Sequence, residues 1–310
     1  MSTTESQLLE SLDRVFKHSR SVLREKPSNA LNPPHAIQAA LKALVPSLPQ
    51  QGVPLNEVTT HLLTLTQGFS NSSLASTYYG FVTGGVTPPA RIADILTSLY
   101  DQVCQAHLPD QTIVTNVEDR ALVFLQELLG FDPQVWKGRL LTTGATAGNI
   151  QGLACAREWI INQRLNDGGS VGELGLLEAC RRAGVDEIKI LTTRPHSSLA
   201  KAASVVGLGR NACVEVRLEN RGRRSASHSE GALDPTCEEE LLFDFDRLEA
   251  ELSVARRACI VAVSCGEVNT GNFATRGLAD MQKLRELCDK YGAWLHVDGG
   301  EFNLDFEKRR

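Results

Sequence analysis

The sequence predicts an α/β domain on a mostly parallel sheet flanked by helices, with a helical arm ahead of it. Three observations carry this. Ala258-Cys259-Ile260-Val261-Ala262-Val263-Ser264 is apolar at both alternating sets of positions, as a strand covered on both faces must be. Leu278, Met281, Leu284, Leu287, Cys288 and Tyr291 then recur at spacings of three and four, one apolar helical face. Gly292 stands where a helix C-cap belongs, and Ala293-Trp294-Leu295-His296-Val297-Asp298 reads as a short buried strand. Strand, helix, strand in this order implies a parallel pair.

The 310 residues suffice for one large α/β domain or a domain with an extension, and 42% hydrophobic content suffices for a core. No apolar run reaches the roughly eighteen residues that a membrane helix needs. A net charge of −5 leaves no basic footprint for nucleic acid. The N-terminus, residues 1–20, is polar and mixed in charge, unlike a signal peptide. Eight cysteines are scattered without a Cys-x-x-Cys, several on apolar strands or helix faces. That pattern predicts a reducing, cytoplasmic setting and no zinc site.

In chain order, residues 5–24 read as an amphipathic helix with Leu8, Leu9, Leu12, Val15 and Phe16 on one face. Prolines at 27, 33, 34, 46, 49 and 54 then break the chain into short pieces, with a helical turn or two around 37–45. This suits an arm that packs on something else, a second subunit included, or equally a loosely ordered leader. Residues 75–87 are turn-rich and aromatic, and Pro88-Pro89 opens a helix to about His107. Asn116 is the expected N-cap of a helix over 117–129 that Gly130 ends. Next come a strand at 139–142, a small-residue turn at 143–149, and helices over 150–161 and 174–183. Strands at 187–191 and 212–218 flank a helix over 199–206; 219–240 reads as a solvated loop, and 245–256 as a helix.

Ligands of open α/β sheets sit beyond the carboxyl ends of the strands. Asp298 is delivered there, and would hold a positively charged group or simply cap its strand. Thr143-Gly144-Ala145-Thr146-Ala147-Gly148-Asn149 lets backbone approach an anion at a helix N-terminus, though ordinary helix capping explains it as well. It is neither a Gly-x-Gly-x-x-Gly fingerprint nor a P-loop. His196, in Arg194-Pro195-His196-Ser197-Ser198, falls at the same edge, as a helix cap or a site residue.

Four segments in this order resemble the group II pyridoxal-phosphate decarboxylases, the aromatic amino acid and glutamate decarboxylase family. They are Tyr78-Tyr79-Gly80-Phe81-Val82-Thr83-Gly84-Gly85; Thr142 to Asn149; His196-Ser197-Ser198-Leu199-Ala200-Lys201-Ala202-Ala203; and Gly266-Glu267-Val268-Asn269-Thr270-Gly271 with His296-Val297-Asp298. The resemblance implies the large domain of the fold type I transferase architecture over 86–310, C-terminally incomplete, behind an arm and substrate-side loop over 1–85. It implies pyridoxal 5'-phosphate as cofactor, decarboxylation of an L-amino acid, and a homodimer with shared sites. Asp298 would pair with the pyridine nitrogen, His196 would stack on the ring, and Ala145 and Thr146 would hold the phosphate. Tyr78 and Tyr79 would line the substrate pocket.

Two departures stand out. The family's usual Thr-Thr in the third block is replaced by Glu267-Val268. The family's Schiff-base lysine, in a His-Lys pair well past the aspartate, has no counterpart: Lys308 is too near Asp298 and in a different context. The expectation is a truncated copy of a decarboxylase, its last strand an unpaired edge. A catalytically inactive, cofactor-binding or dimerising relative is the alternative. A nicotinamide-dependent reductase ranks below both, lacking the dinucleotide glycines.

Overall fold

The computed structural model describes residues 3–25, 31–78, 80, 85–166, 168–218, 241–267 and 271–300. The loop expected over 219–240 lies outside them. The chain divides into two units, Met1–His107 and Leu108–Arg310.

In the first unit, α1 spans Thr3–Glu25, α2 Pro34–Ala43, α3 Leu55–Leu65 and α4 Pro88–Tyr100. Pro34 and Pro88 sit at helix starts, where the N–H that proline lacks would be unpaired anyway. No element was expected at α3. Pro54, read as a breaker, stands at its N-cap and begins the helix instead. Arg14 ties α1 to α3, donating from Nη1 to the Asn56 carbonyl at 3.2 Å and from Nη2 to Thr60 Oγ1 at 2.6 Å. Gly68, in the turn after α3, must be glycine, because a Cβ there would lie 2.6 Å from that of Ala40 on α2. Helix α4 was expected to reach His107. It stops where Asp101 turns left-handed, at φ 43°, and closes its N–H onto Thr97 O. Among the described residues of this unit Ala40 is the one buried hydrophobic side chain; the apolar stripe of α1 stays largely open.

The second unit starts with α5, Val114–Leu129. Its beginning corrects the expected cap: Ile113 is the N-cap residue, Asn116 lies in the first turn, and Thr112 Oγ1 accepts from Val114 N at 3.3 Å. Gly130 ends it at φ 79°, as expected. Residues 139–142 are not the predicted strand: they pair with no strand among the described residues, and Leu141 is 62% exposed. An apolar run without a neighbour to exchange hydrogen bonds is not a strand. Helix α6, Ala145–Asn162, takes most of the predicted turn into its own first turns, behind Gly144 as N-cap.

Short helices α7 (Val171–Leu174) and α8 (Leu176–Arg182) precede β1 (Glu187–Thr192), α9 (Ser197–Val205) and β2 (Cys213–Glu215). Strand β2 is shorter than expected, since Arg217 leaves it for an antiparallel bridge to Phe243. Then follow α10 (Phe245–Leu252), β3 (Arg257–Ser264), α11 (Leu278–Tyr291) and β4 (Trp294–Asp298). The strand–helix–strand prediction holds here, Gly292 capping α11 at φ 60°. Helix α10 ends before Arg256, which adopts φ 60°.

The four strands form one parallel sheet in the order β2-β1-β3-β4. Alternation along β3 divides the core. Ala258, Ile260 and Ala262 join Leu153, Ala156 and Ile160 of α6 and the inner face of α9. Cys259, Val261 and Val263 face Leu248 and Leu252 of α10 and Leu284, Leu287 and Cys288 of α11. Burial pushes the Cys259 thiol up to about 12 and that of Cys288 to about 11, whereas Cys104 and Cys155 are exposed. Among the described residues no helix is long and apolar enough to cross a membrane.

Truncating Ile260, fully buried in the central strand, to alanine is expected to cost about 2–5 kcal/mol, while Leu141→Ala stays within about 0.5 kcal/mol. Urea unfolding of both variants checks this, and a comparable loss for Leu141 would restore the strand at 139–142.

Candidate functional site

All four strands point their carboxyl ends at one rim, and a cleft opens there. It is lined by Ala145 and Thr146 from the start of α6, His196 and Ser198 from the start of α9, Ser264, Gly266 and Glu267 after β3, and Asp298 and Gly300 at the end of β4. Counting its open mouth, it holds about 440 Å³.

Helix α6 lies along β4. Since side chains on a strand alternate, Trp294, His296 and Asp298 share a face. The helix meets them from Trp159, Gly152 and Asn149. Trp159 and Trp294 stack edge-on with centroids 5.7 Å apart. A Cβ on Gly152 would fall 2.5 Å from His296 Cε1 and 2.7 Å from its Nδ1, so the imidazole occupies the place of a side chain at 152. Asn149 Nδ2 donates to Asp298 Oδ2 at 2.9 Å.

Asn149 is 3% exposed and makes two more bonds. Its Nδ2 donates to Ser198 Oγ at 3.1 Å, and His296 Nε2 lies 2.8 Å from its Oδ1. An amide oxygen only accepts, so the His296 proton is assigned to Nε2. Burial pushes this imidazole below its usual value, the Asp298 carboxylate pulling weakly the other way. His196 is the N-cap of α9, its Nδ1 accepting from Ser198 N at 3.2 Å and lying 2.8 Å from Ser198 Oγ. Asp298 Oδ1 accepts from Gly300 N at 3.2 Å.

The cleft thus brings together four residues singled out from sequence: Ala145, Thr146, His196 and Asp298. Tyr78 belongs to the first unit, where its hydroxyl would crowd any side chain at Gly80. Tyr79 and Lys308 lie outside the described residues, as does Val268. No lysine is among the described residues lining the cleft. Asn149, Ser198 and His296 stood inside the quoted motifs but were given no role. The available signal was a glycine three positions after Asn149 in a helix that begins at the phosphate turn.

No protein-family model matches the chain. It is 24% identical over 216 residues to L-2,4-diaminobutyrate decarboxylase of Acinetobacter baumannii, covering 67% of this chain and 37% of that one. The glutamate decarboxylase domain of a Vibrio parahaemolyticus diaminobutyrate-pyruvate transaminase and L-2,4-diaminobutyrate decarboxylase superposes with a TM-score of 0.67 at 21% identity. That match covers 93% of this chain and 57% of its neighbour. The chain is similar in sequence to the Acinetobacter baumannii decarboxylase and shares the fold of the solved neighbour. Oryza sativa TDC, solved with PLP and tryptamine, has the same fold at a TM-score of 0.62 and 17% identity, over 95% of this chain and 56% of the other. The chain spans 37% of the length of the curated relative and somewhat over half of each solved neighbour.

A pH dependence follows from His296. Its folded value is depressed, and the unfolded chain takes the proton near the ordinary value of about 6.5. Below that value and above the folded one the unfolded state binds more protons, so stability rises with pH and is lost on acidification. Urea unfolding across pH 5 to 8 is expected to show this slope in the wild type and less of it in His296→Gln; equal slopes would remove His296 as its source.

Proposed function

We propose that the cleft binds pyridoxal 5'-phosphate and that the protein is a carboxy-lyase acting on an L-amino acid. The observation that carries this is the pairing in one cleft of a helix N-terminus with a carboxylate at the end of the adjacent strand. A phosphate wants the first and a pyridinium nitrogen wants the second. The donor set fits the cofactor. Gly144 makes no side-chain cap to α6, so the helix's first N–H groups and the Thr146 hydroxyl suit the phosphate. Asp298 would hold a proton on the ring nitrogen, and His196, at the mouth of α9, would cover the ring face and orient the substrate carboxylate. The cofactor supplies an electron sink for the pair left on the α-carbon when CO₂ departs. Tyr78 and Tyr79 would line the substrate side of an assembly of two copies in a reducing, cytoplasmic setting.

A second reading has its own support. Among the described residues the cleft is lined by no lysine, and Glu267 brings a buried carboxylate to the block where the family has hydroxyls. Both suit a protein that holds the cofactor noncovalently and does not decarboxylate.

Titration with pyridoxal 5'-phosphate, followed by absorbance and tryptophan quenching, is expected to give saturable binding that Asp298→Ala weakens about tenfold or more. No binding by the wild type would overturn the reading. CO₂ release from a panel of L-amino acids then separates the lyase from the noncovalent binder.

A further inference from the structure

We propose that Asn149 is the positioning residue of the cleft, its amide locked by His296 so that it presents one N–H to Asp298 and the other to Ser198 behind His196. This rests on the cofactor reading given above.

The hydrogen-bond directions allow one orientation. Turned over, the amide would set Oδ1 against the Asp298 carboxylate, acceptor facing acceptor; with Nδ2 toward Asp298, Oδ1 is left to accept from His296 Nε2–H. Both Nδ2 hydrogens are used as it stands, at 2.9 Å to Asp298 Oδ2 and 3.1 Å to Ser198 Oγ. Ser198 Oγ, accepting from Asn149, has its own proton for His196 Nδ1 at 2.8 Å. His196 Nδ1 is therefore an acceptor twice over, and its ring proton sits on Nε2.

The lock is steric as well as polar. His296 shares a strand face with Asp298, and its ring fills the space above Gly152, where a Cβ would be 2.5 Å from Cε1. Glycine inside a helix costs about 1 kcal/mol against alanine. Here it leaves room for the ring to pack against α6 and reach Asn149. The Asp298 carboxylate is then pinned at both oxygens, by Asn149 on Oδ2 and by Gly300 N on Oδ1. A carboxylate fixed in its plane can serve a ring nitrogen without reorienting.

The bland alternative is a buried amide that is merely satisfied, and a matched pair of ligands separates the two. One is pyridoxal 5'-phosphate; the other is the analogue with carbon in place of the ring nitrogen. The wild type is expected to prefer the first. Asn149→Ala is expected to weaken binding of the first about tenfold while leaving the second nearly unchanged. An equal loss for both ligands, or no loss for either, overturns the inference. A wild type that fails to distinguish them overturns the Asp298 assignment and this inference with it. Histidine ¹⁵N spectra of the cofactor-free wild type give a check that needs no variant to fold: His296 is expected as the Nε2–H tautomer, and the Nδ1–H form overturns the lock. His296→Gln keeps a donor toward Asn149 and is expected to retain the ligand preference; His296→Leu is expected to lose it.

Discussion

A buried amide has to satisfy two donors and an acceptor at once, and the arrangement of this cleft follows from how Asn149 does so. The residue sits in the second turn of α6, beside the carboxyl ends of the strands, and is 3% exposed. Leaving any of its groups unpaired there would cost about 1–3 kcal/mol. Its three partners come from different places: His296 and Asp298 from β4, and Ser198 from α9. Satisfying one side chain therefore sets the distance between α6, the last strand and the helix that carries His196. The sheet brings these segments to a common rim, and the amide fixes them there.

Much of this was legible in the sequence, unevenly. The β3–α11–β4 unit could be read because its apolar positions are strictly periodic and Gly292 marks the helix end. Asp298 and His196 could be read because strand ends converge in any parallel sheet, whereas Ala145 and Thr146 follow no strand and were legible from the small-residue turn before a helix and from the resemblance. The misread elements share a cause. Residues 139–142 are apolar enough for a strand, but pairing depends on a neighbour that local sequence does not reveal. Asn116 is a good cap by type, but Thr112 accepts the terminal N–H and the helix starts earlier. Pro54 breaks a helix or begins one depending on the residues after it, and α3 is the second case. The role of Asn149 was hidden because it lies in contacts about 50 and 150 residues away along the chain, at Ser198 and Asp298.

The two units differ in how their apolar residues are used. In the second, the strands and their helices hold fully buried side chains on both faces of the sheet. In the first, helices are joined by polar ties such as Arg14 to Asn56 and Thr60, and Asn32 donates to the carbonyls of Gln67 and Phe69. The first unit is stitched where the second is packed.

The unequal burial of the thiols makes the protein its own clock for local opening. Cys259 and Cys288 sit on the β3–α11 side of the core with their ionisation suppressed, so an alkylating reagent reaches them only when that layer separates. Cys104 and Cys155 are exposed from the start. The lag between the two classes, followed by mass, times how often the sheet and α11 part without any label being built in.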